Sequence, residues 1–168
     1  MRLTALLLLP LIAAVAPAGA QQPPASPRDT VRATIGTASV MIDYGRPSKR
    51  GREIWGGLVP YDATWRLGAN GATQIRTDKD LVIGGVTLPA GFYTLWLVPT
   101  PTAATLVVNS QTGQWGTAYD ATKDLLRIPM TLRADLPTME ERFTIKVEGG
   151  ELVLLWDRAG YSTSIKAK

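Results

Sequence analysis

The sequence predicts an all-β protein, a single antiparallel β-sandwich of about nine or ten short strands with one long structured loop and little helix. Three observations predict it. Most hydrophobic residues recur with a period of two, paired glycines separate strand-like segments, and no segment keeps the helical period of 3.6. The 12 prolines, spread along the chain, also oppose long helices.

The alternation of apolar and polar residues identifies the half-buried strands. Because successive strand side chains point to opposite faces, three segments are expected to bury one face: 31–35, 40–44 and 143–147. Three other runs are apolar almost throughout and are expected to be strands covered on both sides: 92–98, 106–108 and 152–156. An outer-membrane barrel is the structural alternative, but its strands would be longer and would alternate over their whole length.

The turns agree with this interpretation. Gly84-Gly85 and Gly149-Gly150 each stand between strand-like segments, and paired residues that tolerate positive φ suit tight hairpin turns. Asp120 is a favourable N-cap for a single helical turn over the three residues that follow it. No longer helix is expected.

The first twenty residues are predicted to be a secretory signal. Arg2 is followed by an apolar run shorter than a membrane span and by the small-residue exit Ala18-Gly19-Ala20. Cleavage is expected after Ala20, and an uncleaved anchor is the alternative. Residues 21–27 are expected to be a proline-rich mobile lead-in, and 28–168 a single domain. The mature protein is therefore expected to be periplasmic or extracellular, with no membrane span.

Composition excludes several kinds of chemistry. The chain has no His and no Cys, so it has no Ser-His-Asp triad, no His-ligated zinc, no thiolate nucleophile and no disulfide. We expect no cofactor and no metal. The formal net charge is +4, and no groove-reading motif accompanies it, so nucleic acid is not an expected partner. The sequence does not predict the oligomeric state.

The segment Tyr44 to Thr73 is the densest in unusual residues. It is not strand-like, and between Arg46 and Arg66 it holds five basic residues and two acidic ones. Arginine offers a planar set of donors for carboxylate, phosphate or sulfate, and tryptophan can stack on a ring. The candidate ligand-binding residues are therefore Arg46, Arg52, Trp65, Arg66 and Asn70. The alternative is that the arginines brace the loop and the tryptophans fill one end of the sandwich.

A set of short motifs resembles the domain-of-unknown-function family 2911. Upstream they are Arg46-Pro47, Gly51-Arg52, Gly56-Gly57-Leu58-Val59-Pro60-Tyr61 and Trp65-Arg66-x-Gly68-Ala69-Asn70. Downstream they are Leu88-Pro89-Ala90-Gly91-x-Tyr93, Gln114-Trp115-Gly116 and Tyr119-Asp120-x-x-Lys123-Asp124-Leu125-Leu126-Arg127. The resemblance implies an exported bacterial β-rich protein and brings no established activity. Members commonly carry Glu after the Ala-Asn pair, where this chain has Gly71.

Three functions follow as hypotheses. The first is a binding module for a small polar, anionic or glycan ligand at the Tyr44–Thr73 loop. The second is a hydrolase of glycans or esters that works through paired carboxylates such as Asp43 with Asp120 or Asp124, which would have to face each other. The third is a structural or partner-binding envelope protein that uses an exposed edge strand. No catalytic motif is recognisable, so the sequence favours a protein that is not an enzyme.

Overall fold

A computed structural model describes residues 25–168 of the chain. The predicted signal and residues 21–24 of the predicted lead-in lie outside the described residues. Where the described chain begins, it is attached to the long loop, because Arg46 N–H donates to the Pro27 carbonyl at 2.8 Å. Among the described residues, no helix is long and apolar enough to cross a membrane.

The all-β prediction is confirmed. Eleven strands follow one another: β1 Arg28–Ile35, β2 Ala38–Gly45, β3 Thr73–Thr77, β4 Leu81–Ile83, β5 Val86–Leu88, β6 Gly91–Pro99, β7 Ala103–Asn109, β8 Asp124–Arg133, β9 Glu140–Glu148, β10 Glu151–Asp157 and β11 Ala159–Ala167. The described helix is one 3₁₀ turn, Ala121–Lys123, which Asp120 caps by accepting from Thr122 N–H at 2.9 Å. Both glycine pairs form hairpin turns with positive φ.

The strands form one continuous antiparallel sheet. Its order is β1-β2-β3-β6-β7-β8-β11-β10-β9, and the short β4–β5 hairpin leaves this path to pair through β4 with β11. Consequently β3 pairs with β6, its neighbour in space but not in sequence. The two layers expected of a sandwich are therefore opposite parts of one sheet that curls until its ends nearly meet.

Residues just after β2 make the junction between the ends of the sheet. Phe143 N–H donates to the Pro47 carbonyl at 2.9 Å, and Lys49 N–H donates to the Glu141 carbonyl at 2.7 Å. The chain that leaves β2 thus pairs with the start of β9, while β2 itself pairs with β1. This arrangement places the long loop at the seam between the first and last strands.

The inner face of the curled sheet is the hydrophobic core. In β2, Ala38, Val40, Ile42 and Tyr44 are all buried, while the residues between them face outward. Removing such alternate side chains from water is the main favourable contribution to folding.

Only part of the outer face of the sheet is covered by other segments of the described chain. Trp96, an outward residue of β6, is 2% exposed because Tyr119 packs on it with ring centroids 4.8 Å apart. The segment between β7 and β8 thus covers the outer face of β6 and β7. Several outward residues of β1, β2 and β3 are exposed in the part of the chain that the structure describes.

Candidate functional site

The predicted loop is an irregular segment held in a strained path. Leu67 and Asn70 both have positive φ, 51° and 63°, and Leu67 is fully buried. The segment passes directly over Gly45, where an added Cβ would lie 2.1 Å from the Ala69 carbonyl oxygen. Positive φ at a buried leucine persists only where the surroundings enforce it. The path of the loop is therefore set by the packing around Leu67 and Gly45.

Arg46 joins the two ends of the sheet. Its guanidinium donates to Asp29 in β1 at 3.1 Å, and to the Phe143 carbonyl and the Thr144 hydroxyl in β9 at 3.1 and 2.9 Å. All three nitrogens are used, and the side chain is 26% exposed. This geometry is that of a structural clasp.

Arg52 braces the loop locally. Its guanidinium donates to the Lys49 carbonyl at 2.9 Å and to the Ser48 carbonyl at 2.6 Å. The residue is exposed, but its donors are turned toward the backbone of its own loop.

Trp65 lies in an aromatic cluster that fills one end of the core. Its ring stacks on Trp156 at 5.8 Å between centroids and meets Trp55 and Phe143 edge-on at 5.9 and 4.9 Å. Its backbone is tied to Leu97 by two hydrogen bonds of 2.7 and 2.9 Å. The T-shaped and stacked arrangements are those that aromatic rings favour in cores.

Arg66 and Asn70 lie elsewhere, beside the segment between β7 and β8. An added Cβ at Gly116 would meet the Asn70 carbonyl oxygen at 2.5 Å and Arg66 Cδ at 2.7 Å. The Asn70 amide donates to the Ser26 carbonyl at a long 3.4 Å. The five predicted residues therefore do not converge on one concavity, and the bonds of Arg46, Arg52 and Trp65 favour the bracing alternative for those three.

A different set of residues lines up on the open outer face of the sheet. The strand register places Arg32 opposite Met41, Met41 opposite Arg76, and Arg76 opposite Phe92, so one row crosses β1, β2, β3 and β6. The Arg76 guanidinium carbon lies 5.1 Å from the centroid of the Phe92 ring. Neither Arg32 nor Arg76 has an ion-pair partner within 4.0 Å among residues 25–168.

Sequence reasoning missed this row. The alternation of β1, β2 and β3 was visible, so the outward positions could be found. Their alignment depends on the pairing of β3 with β6. No feature of the sequence shows that the β4–β5 hairpin, which lies between them in sequence, is left out of that part of the sheet.

The next row along the same face is polar. It consists of Thr30, Asp43, Gln74 and Thr94. Asp43 forms an ion pair with Arg28, whose Nε donates to it at 2.7 Å. The charge of Asp43 is thus already matched within the protein.

Three adjoining cavities follow these rows. The largest, about 640 Å³, is lined by the first row and by Asp78. A smaller one of about 240 Å³ shares Met41, Arg76 and Phe92 with it. A third of about 420 Å³ shares Asp43 and Gln74 with the second and is bordered as follows: Ser26, Arg28, Asn70, Gly71, Ala72, Gly113, Gln114 and Trp115. We call the three together the sheet groove. Of the predicted site residues, it contains Asn70.

Asp120 and Asp124, two of the carboxylates proposed for catalysis, already accept hydrogen bonds from neighbouring residues. Asp124 accepts from the Asn109 amide at 2.9 Å, the Tyr119 hydroxyl at 2.7 Å and Arg127 at 3.1 Å. Burial and the bond to Asp124 raise the pKa of Tyr119. Asp120 caps the 3₁₀ turn, and its bonds from Thr122 lower the pKa of its carboxyl group. Both carboxylates thus act as local acceptors.

The acidic side chains of residues 25–168 do not cluster as metal ligands do. Among residues 25–168, no group of three or more His, Cys, Asp or Glu side chains is placed to hold a metal ion. Three arginines and two aspartates line the groove, and Asp43 is ion-paired with Arg28, so the groove suits an anion or a neutral polar molecule better than a cation.

Fold and groove together define an all-β domain with one open, arginine-lined sheet face. The chain belongs to the family described as "Protein of unknown function (DUF2911)", whose model matches residues 26–165. This confirms the resemblance found in the sequence motifs. No curated protein and no solved structure matches the chain.

Proposed function

We propose that this protein is a binding module that holds a small anionic ligand in the sheet groove. The observation that carries the proposal is the row formed by Arg32, Met41, Arg76 and Phe92. Two guanidinium groups, which have no ion-pair partners among residues 25–168, flank an apolar side chain on neighbouring strands of the sheet.

The chemistry of this row fits an anion that has an apolar part. Strands lie about 4.8 Å apart, so Arg32 and Arg76 stand on strands roughly 10 Å apart with Met41 between them. Guanidinium groups bind carboxylate, phosphate or sulfate through paired donors. Met41 and Phe92 supply the apolar surface that most ligand sites combine with a few polar groups.

The charges of the groove favour an anion modestly. Arg28, Arg32 and Arg76 line it, against the carboxylates of Asp43 and Asp78. Arg28 and Asp43 neutralise each other, and Asp78, which lines the largest cavity, accepts from Ser39 N–H at 2.7 Å. Because the groove is open to solvent, salt should weaken binding.

Titration calorimetry with phenyl phosphate tests the proposal. We expect binding that falls with added NaCl, and an affinity about tenfold lower in Arg76→Ala and in Arg32→Ala. The matched control is Arg158→Ala, because Arg158 is exposed in the β10–β11 turn and does not line the groove. The proposal fails if phenyl phosphate does not bind, or if Arg158→Ala weakens binding as much as Arg76→Ala does.

Export is the second part of the proposal. It is supported by the sequence pattern of residues 1–20, and it would place the groove outside the cytoplasm. Expression of the full chain, fractionation and N-terminal sequencing test it. A mature protein that begins at Gln21 in the exported fraction is expected; an intact Met1 in the cytoplasm contradicts it.

The hydrolase alternative has weaker support. Asp43 is ion-paired with Arg28, and Asp124 accepts three hydrogen bonds, so neither is a free acid or base in a cleft. The edge-strand alternative is weakened by the junction that residues 46–49 make with β9, which covers part of the sheet edge.

A further inference from the structure

Trp115 is a large aromatic side chain held out in solvent by a fixed backbone. It is 59% exposed, more than any other large hydrophobic residue of the part of the chain that the structure describes. Its segment is bonded to the long loop: Gly116 N–H donates to the Asn70 carbonyl at 2.9 Å, and Ala72 N–H donates to the Gln114 carbonyl at 3.2 Å. A rigid, exposed indole beside a cavity is typical of a binding surface.

Amide side chains surround the same cavity. Asn70, Gln74 and Gln114 all line it together with Trp115. The Gln114 Nε2 atom is buried and has no hydrogen-bond partner among the described residues, and the Asn70 amide makes only its 3.4 Å bond. An unsatisfied buried donor costs about 1–3 kcal/mol, so such a group calls for an explanation.

An aromatic face with amides around it suits a sugar ring. Each amide carries a donor and an acceptor, which match the hydroxyl groups of a sugar. The electron-rich face of an indole attracts the C–H groups on one face of a pyranose. Asn70 and Gln74, which line the cavity beside Trp115, can bond the hydroxyls of a ring that lies on it, whereas the buried Gln114 Nε2 reaches a ligand only when its side chain turns outward.

The cavity beside Trp115 is continuous with the row that contains Arg32 and Arg76. Asp43 and Gln74 border both the Trp115 cavity and the small cavity that contains Arg76. Gln74 and Arg76 are successive outward residues of β3, about 6.6 Å apart along the strand. A molecule on Trp115 that extends along the groove therefore reaches a guanidinium group one step further on.

We infer that the sheet groove binds an acidic oligosaccharide. One sugar ring lies on Trp115, and a carboxylate of the oligosaccharide lies at Arg76 and Arg32. This inference rests on the proposed function and names the class of its ligand. A nucleotide would also offer a ring and an anion. The amide side chains that line this cavity favour a hydroxyl-rich ring over a flat base, since among the described residues no second aromatic ring lines it to enclose a base.

Calorimetry with uronate tetrasaccharides tests the inference. The probes are tetramers of galacturonate, glucuronate and mannuronate, the methyl ester of the best binder as its uncharged counterpart, adenosine monophosphate, and phenyl phosphate. We expect one uronate tetramer to bind, its methyl ester to bind about tenfold more weakly, and adenosine monophosphate to bind no better than phenyl phosphate.

Variants separate the two ends of the groove. Trp115→Ala should weaken uronate binding about tenfold and leave phenyl phosphate unchanged, while Trp115→Phe should restore part of the loss. Arg76→Ala should weaken both ligands, and circular dichroism checks that each variant is folded. The inference is overturned if no uronate tetramer binds, or if the methyl ester binds as tightly as its uronate. It is also overturned if adenosine monophosphate binds more tightly than phenyl phosphate, or if Trp115→Ala does not weaken uronate binding. If phenyl phosphate also fails to bind, the proposed function fails with it.

Discussion

The guanidinium of Arg76 lies over the ring of Phe92, 5.1 Å from its centroid, on the open face of the sheet. The two residues are directly opposite each other on β3 and β6. The ring holds the arginine side chain near the sheet, an interaction worth about 0.5–1 kcal/mol at exposed sites. It thereby leaves the guanidinium edge free to bind an anion, which is the basis of the proposed function.

Removal of the Arg46 side chain should destabilise the fold. Its guanidinium connects β1 with β9. A hydrogen bond to a charged group contributes about 1.5–3 kcal/mol to stability, and less where water competes for the same groups. We expect Arg46→Ala to lower the free energy of unfolding in urea by about 2 kcal/mol. Arg52→Ala, which loses only local carbonyl contacts of an exposed side chain, should change it by less than about 0.5 kcal/mol. Equal effects of the two variants would contradict the structural role assigned to Arg46.

The two tryptophans of the family motifs should differ in how much they contribute to stability. Trp65 packs against three aromatic rings, and truncation of a large core aromatic costs about 3–5 kcal/mol. We expect Trp65→Ala to reduce stability by that order, and Trp115→Ala by less than about 0.5 kcal/mol. Denaturation followed by far-UV circular dichroism makes the comparison. A large loss of stability in Trp115→Ala would show that this residue is structural.

Alkaline pH should weaken the fold through Tyr161. Burial raises the pKa of Tyr161 to about 12, and its hydroxyl donates to the Thr100 carbonyl at 3.0 Å. The unfolded chain releases this proton near pH 10, so the stability that the neutral hydroxyl contributes is complete below pH 10 and is lost as the pH rises toward 12. Urea denaturation between pH 8 and 11.5 should show the decline, and Tyr161→Phe should make it shallower. An unchanged pH profile in Tyr161→Phe would assign the decline to other groups.

A side chain at Gly116 should disturb the groove without unfolding the protein. An added Cβ would lie 2.5 Å from the Asn70 carbonyl oxygen, so the segment that carries Trp115 must shift. We expect Gly116→Ala to cost about 1–3 kcal/mol of stability and to weaken ligand binding at the Trp115 end. Thr117→Ala, at the exposed neighbouring position, is the control. Unaltered binding in Gly116→Ala would mean that the position of Trp115 does not matter.

The fold was predictable because its signals are local. The alternation around Ile42 and the turn at Gly149-Gly150 depend on a few adjacent residues, and both elements form where they were expected. The irregular loop was also expected, since its composition differs from that of a strand. The contacts of this loop with β9 and β10 were not predictable, because Phe143 lies 97 residues from Arg46, and Trp156 is similarly distant from Trp65.

The groove was not predictable for the same physical reason. Arg32 and Arg76 are isolated arginines in sequence, and only the order of the strands places them in one row. Trp115 did carry a signal, as part of one of the family motifs, but its exposure depends on how its segment bonds to Asn70 and Ala72.

Nitrogen-15 NMR of the arginine Nε–H groups tests most directly whether the sheet groove is the ligand surface. Arg46 and Arg52 use these groups internally, at 3.1 and 2.9 Å from backbone carbonyls, while Arg32 and Arg76 have no ion-pair partners in the described chain. On titration with phenyl phosphate, the signals of Arg32 and Arg76 should shift together with one affinity, and those of Arg46 and Arg52 should stay in place. Shifts confined to Arg46 and Arg52, or none at all, would contradict the account.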